Sequence, residues 1–138
     1  MATTHQSYGF DTTLALPFDV ALERTKAALK AEGFGVLTEI DVQETLKQKI
    51  DVEFERYLIL GACNPHLAYR ALQAERDLGL LLPCNVIVHD HDGGTKVSIV
   101  DPAAMLGIVE NPALAVVADE ARERLQRVVA ALAAQGEG

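Results

Sequence analysis

The side chains best suited to chemistry sit in two short echoes, Ala62-Cys63-Asn64-Pro65 and Pro83-Cys84-Asn85, which hold both cysteines of the chain. A thiolate is a nucleophile and a soft-metal ligand. Two thiols brought together could therefore bind copper(I) or zinc, or cycle as a redox couple. Cys63 stands just ahead of a predicted helix start at Pro65, and a helix N-terminus lowers a thiol's pKa. Cys63 is thus the best candidate for a catalytic thiol, with Cys84 as its resolving partner. The competing reading is that both are core residues, because cysteine packs as a small, readily buried hydrophobe.

Other polar residues group around these motifs. Asn64 suits a helix cap. Asn85 precedes the apolar run Val86-Ile87-Val88, so its amide must find partners, either fixing a loop or orienting a ligand. Glu75 lies four after Ala71 and three after Leu72, on the apolar side of a predicted helix. An inward carboxylate there is either ion-paired, for instance with Lys47 or Arg56, or functionally perturbed. Glu39 and Asp41 alternate along one strand face, an arrangement open to acid–base work or a hard cation, although Asp41 also reads as a helix cap. His89 and His91 flank acids in a Gly-rich stretch that reads as a solvated turn. Met105 could ligate a soft metal but reads more simply as a core filler.

The elements that position these residues follow from periodicity. Residues 8–16 alternate as a first strand that ends at Pro17. Asp19 then caps a helix to about Glu32, with Phe18, Leu22, Thr25 and Leu29 on one stripe and Gly33 as its stop. Residues 35–42 form a strand with Val36, Ile40 and Val42 on one face and Leu37, Glu39 and Asp41 on the other. Asp41-Val42-Gln43-Glu44 resembles a capping box that opens a short helix carrying Val42, Leu46 and Ile50. A strand over 56–62, a helix over 65–78 closed by Gly79, and paired strands over 80–89 and 96–100 follow, the pair joined by a turn over 90–94. A helical turn over 102–106 and a long helix over 112–132 complete the set. Asn64-Pro65, Asp101-Pro102 and Asn111-Pro112 each combine a capping side chain with a proline that has no amide to leave unpaired. The order β-α-β-(short α)-β-α-β-β-α predicts a two-layer α+β fold, with helices on one face of a mainly antiparallel or mixed sheet. Residues 7–133 form the single domain, with a flexible tail over 1–6 and a disordered one over 134–138.

The chain has 138 residues, 49% of them hydrophobic, and a net charge of −8. One domain of this size can bury a core without staples. Lacking a basic stripe, it would be repelled by nucleic acid or an anionic membrane. No apolar run is long enough to span a bilayer, and the start shows no signal-peptide pattern. Two cysteines without an export signal point to cytoplasmic thiols rather than a disulfide framework. G-x-G-x-x-G, Walker, H-E-x-x-H and G-x-S-x-G motifs are missing.

Three co-linear motifs carry a resemblance: Gly33-Phe34-Gly35-Val36-Leu37-Thr38-Glu39-Ile40-Asp41, Ile59-Leu60-Gly61-Ala62-Cys63-Asn64-Pro65 and Gly79-Leu80-Leu81-Leu82-Pro83-Cys84-Asn85-Val86, with Asp101-Pro102 and Met105 beyond. Together they resemble the domain of unknown function 302 family over about residues 8–132. The resemblance implies a compact bacterial or archaeal α+β domain that pairs into homodimers, and it brings no established activity or cofactor.

Three functions compete. The leading one is a cytoplasmic homodimeric module with a pocket around Cys63, Asn64, Cys84 and Asn85, Glu75 and Glu39 nearby, holding a small molecule or a soft metal on the two thiols. The second is a cysteine-dependent redox enzyme, and the third an interaction or assembly domain without a pocket.

Overall fold

Alternation along the strands decides which face of the sheet is covered. In the computed structural model, which describes residues 4–6 and 8–136, β2 (Gly9–Leu14) turns Phe10, Thr12 and Leu14 inward. β6 (Gly94–Val100) sets Ile99 and Val97 opposite Phe10 and Thr12. β5 (Cys84–His91) continues the rows with Val86 and Val88, and β4 (Tyr57–Cys63) adds Leu60 opposite Val86 and Ala62 opposite Cys84. Cross-strand rows of branched side chains of this kind stabilise a sheet. β1 (Thr4–Gln6) and β3 (Gly35–Asp41) are the outer strands of the order β1-β2-β6-β5-β4-β3, in which every neighbouring pair is antiparallel. The fold is α+β, a single domain, and the sheet is antiparallel throughout rather than mixed.

Two long helices seal this face. α1 (Phe18–Ala31) buries Phe18, Ala21, Thr25 and Leu29, and α5 (Pro112–Gly136) buries Leu114, Val117, Ala118, Ala121, Leu125, Val128 and Leu132. Both stripes follow the 3.6-residue period, and the two helices pack against each other over the sheet. α3 (Pro65–Ala74) and α4 (Pro102–Leu106) also pack on α5. α2 (Val42–Ile50) buries none of its residues, and Asp41 caps it by accepting a hydrogen bond from the Glu44 amide at 2.9 Å.

Several expectations need correction. Asp19 does not cap α1: Pro17 holds that place in an extended conformation, and Asp19 pairs with Arg56 at 3.0 Å. The helix expected over 65–78 stops at Ala74, because Glu75 takes an extended conformation (φ −149°, ψ 101°), and a 3₁₀ turn, Arg76–Leu81, follows. β5 starts at Cys84 rather than at residue 80, since Pro83 has no amide to offer a ladder. The hairpin turn is shorter than expected. His91 pairs with Gly94, and Asp92 and Gly93 carry positive φ, as a two-residue primed turn requires. A bulge between Val36 and Thr38 resets the faces of β3, so Val36 packs on the core while Ile40 is exposed. Thr4–Gln6, expected in a flexible tail, pair with β2, and residues 134–136 continue α5. The rest of the two expected tails, at residues 1–3 and 137–138, lies outside the described residues.

Candidate functional site

The two cysteine motifs meet where β4 ends and β5 begins. Ala62 lies opposite Cys84 and Cys63 opposite Gly35, so the three strands β3, β4 and β5 share this end of the sheet. Close packing here requires glycine: a Cβ on Gly61 would collide with the Thr38 hydroxyl and approach Pro83 Cγ to 2.8 Å. The chain then turns into α3 through Asn64, whose Oδ1 accepts the Leu67 amide at 3.2 Å. A hollow of about 380 Å³ opens beside these motifs, and Cys63, Asn64 and Cys84 all line it. α3 contributes Leu67 and Ala71 to its wall, α5 contributes Val117 and Ala121, and Thr38 and Leu37 stand on the β3 side. Among the described residues none of its lining side chains is Asp, Glu, Lys, Arg or His.

That apolar setting governs the thiols. Burial pushes the Cys84 thiol up to about 11, and neighbouring Cys63 adds to the effect. Burial also raises Cys63, the reverse of the lowering expected from the helix start. The reason is desolvation, which disfavours a thiolate. Both sulfurs are free thiols, and at neutral pH both are protonated.

Three expected site residues lie elsewhere. Asn85 is exposed and stands opposite Gly61, on the alternate side of β5 from Cys84. Glu39 forms an ion pair with Lys26 at 2.7 Å. Glu75 follows the end of α3 and is not on its apolar stripe, and the suggested partners are engaged elsewhere, Lys47 with Asp51 and Glu53 and Arg56 with Asp19. His89 stacks on Tyr57 at 5.2 Å and meets Glu55 at 3.2 Å, while His91 is 3.4 Å from Asp92. Met105 packs partly buried against the core. Among the described residues no group of three or more His, Cys, Asp or Glu is placed to hold a metal ion, and no helix is long and apolar enough to cross a membrane.

Sequence reasoning missed the apolar wall. Small residues at Ala68, Ala71 and Ala121 leave the space, yet alanine on a helix face ordinarily signals close packing. Thr38 was hidden by the bulge, which turns it toward Gly61.

The sequence profile described as Domain of unknown function DUF302 matches residues 10–132. A crystal structure of an uncharacterized conserved DUF302 protein from Bacillus stearothermophilus is 31% identical, with a TM-score of 0.82 over 88% of this chain and 95% of that one. No curated protein matches the sequence. A profile that runs through the strands, the helices and both cysteine motifs leaves one assignment: the chain belongs to the DUF302 family.

Proposed function

We propose that this protein is a cytoplasmic homodimeric binding module whose hollow at the ends of β4 and β5 holds a small, uncharged, apolar molecule. One observation carries the reading: a cavity of about 380 Å³, within the size range of ligand pockets, is walled by apolar side chains with a few polar groups among them. Desolvating a charged ligand there would go uncompensated. Protonated thiols weaken the cysteine-enzyme reading, since the thiolate is the reactive form. Among the described residues the two thiols have no third His, Cys, Asp or Glu beside them, which weakens the zinc form of the soft-metal reading. Free cysteines suit a reducing compartment. A second copy as partner is supported by Leu37, Ile40, Ile50, Val52 and Phe54, which stay exposed along one stretch that includes the sheet edge β3.

Ala68 lines the hollow and is only half-buried, so a larger side chain there takes up cavity space with little strain on the core. Titrating wild type and Ala68→Leu with toluene by calorimetry tests the reading. Wild type is expected to bind, and the variant to lose at least about tenfold in affinity while keeping its melting temperature within a few degrees. Equal toluene affinity in the two proteins would place the binding outside this hollow.

A further inference from the structure

β5 carries the apolar hollow at its first residue and a cavity of opposite character at its last. This second space is a cleft of about 550 Å³, lined by His89, Asp90, His91 and Asp92 together with Glu55 and Phe18. Two imidazoles and three carboxylates thus share its wall. His89 and His91 are two apart on a strand, so both project from the same face. Their rings meet edge to face, with centroids 6.2 Å apart. Two imidazoles bound to one ion hold their centroids roughly 4.5–6.5 Å apart, given metal–nitrogen bonds of about 2.1 Å. The pair already stands at a chelating separation. His89 is also held in place. Its ring stacks on Tyr57 at 5.2 Å, and its Nδ1 lies 2.8 Å from the Asp90 carbonyl and 3.2 Å from the Glu55 carboxylate. Both of those oxygens only accept, so Nδ1 carries the hydrogen and the lone pair of the neutral ring is on Nε2. A histidine that ligates a metal is oriented in this way, its other nitrogen donating to a carbonyl or carboxylate. With one ring face on Tyr57 and the Nδ1 edge engaged, the Nε2 edge and the second face are what His89 has left for the cleft. His91 is less constrained: its Nε2 is 3.4 Å from Asp92, and the two side chains are 39% and 88% exposed, so the ring can turn. The neighbouring cations are occupied. Lys96, opposite His89, reaches Asp11 at 3.6 Å, and Arg56 lies over the Phe18 ring and bonds Asp19 at 3.0 Å.

We infer that His89 and His91 chelate a divalent transition-metal ion, of the kind that includes nickel(II), copper(II) and zinc(II), at the hairpin end of β5. Imidazole selects ions of this borderline softness over magnesium or calcium, which prefer an all-oxygen shell. Glu55, Asp90 and Asp92 give an entering cation a negative wall. Two imidazoles are fewer than the groups of three that are missing among the described residues, so solvent completes the coordination and the ion stays open on one side. This site is separate from the apolar hollow and does not depend on what the hollow binds.

Nickel(II) is the probe of choice, because it favours imidazole and its unpaired electrons broaden the NMR signals of whatever it touches. Calorimetric titration of the full chain with nickel chloride is expected to find one ion per chain. His91→Gln is the decisive variant, since it removes a ligand at a position open to solvent and leaves the stack of His89 on Tyr57 in place. It should lose at least about tenfold in nickel affinity, and His89→Gln should lose as much. His66→Gln, at an exposed position on α3, should bind as wild type does. In the wild-type spectrum the signals of His89 and His91 should broaden first while those of Cys63 and Cys84 stay sharp, and magnesium at the same concentration should leave all four unmoved. Broadening centred on the cysteines or on His5, or an affinity that survives in His91→Gln, would overturn the assignment. So would magnesium displacing nickel on equal terms, which would make the carboxylates the ligands. Half an ion per chain with metal-driven association would replace the chelate by a bridge between copies, and a dissociation constant weaker than about 1 mM would leave no site at all.

Discussion

Cys84 shows at the residue scale how a side chain that looks reactive is made inert by its surroundings. Its thiol is held up near 11 by burial, whereas in an unfolded chain it titrates near its ordinary 9.0. Below pH 9 both states keep the proton and the thiol leaves stability unchanged with pH. Between about 9 and 11 the unfolded chain loses the proton while the folded chain retains it, so stability falls as pH rises, and it levels off once the folded thiol ionises. Urea unfolding across that window should show an added loss approaching ~2–3 kcal/mol in wild type, and Cys84→Ala should flatten it. A wild-type curve as flat as the variant's would mean that Cys84 is not sealed as described. That the thiols and Asn64 meet at one end of the sheet was legible in the sequence, because each occupies a strand end or a cap whose position sequence signals can place. The positions of Asn85, Glu39 and Glu75 were not. Their placement depends on strand register, on a lysine thirteen positions away and on a helix break, none of which composition around them reveals.

At the scale of elements, three Asx-Pro helix starts were readable because each rests on one local hydrogen bond, and all three form: Leu67 to Asn64, Ala103 to Asp101 and Ala113 to Asn111. The break after α3 was not readable, because its cause is tertiary. Asn111 not only caps α5 but also sends Nδ2 to the Ala74 carbonyl at 3.0 Å, satisfying the end of α3 from a residue far along the chain. Leu78, expected on an uninterrupted helix, reaches the core through the 3₁₀ turn instead. Removing both bonds with Asn111→Ala should lower stability by about 1–2 kcal/mol. Asn111→Asp keeps the α5 cap but sets a negative charge beside the C-terminus of α3, so it should recover only part of that loss. Hydrogen exchange separates the two effects. Amides in the last turn of α3 should exchange faster in both variants, and those in the first turn of α5 only in Asn111→Ala. If α3 amides are unchanged in either variant, the tie between the two helices carries no weight.

For the whole molecule, the antiparallel order of the central strands and the helix-covered face were legible from alternation and from the hairpin. The open end of the sheet was less so. β3 is an outer strand, and it is followed by α2, which buries nothing, and by exposed Val52 and Phe54. In a chain of 138 residues that buries its other face well, such a stretch is where the proposed second copy would bind. An outer strand pairs most simply with its own copy about a two-fold axis, running antiparallel to itself. Each chain carries a net charge of −8, so two copies repel at long range while apolar contact holds them together. Screening shortens the reach of that repulsion to roughly 10 Å at 0.1 M salt. The dimer should therefore tighten as salt is raised, opposite to an interface built on ion pairs. Sedimentation equilibrium at low and moderate salt measures this directly, and Phe54→Glu, which adds a negative charge at a position 41% exposed in the single chain, should weaken association at least about tenfold. A monomer at every salt concentration, or association unchanged by the substitution, would rule out this edge as the meeting surface and leave the cavity at the ends of β4 and β5 to work within one chain.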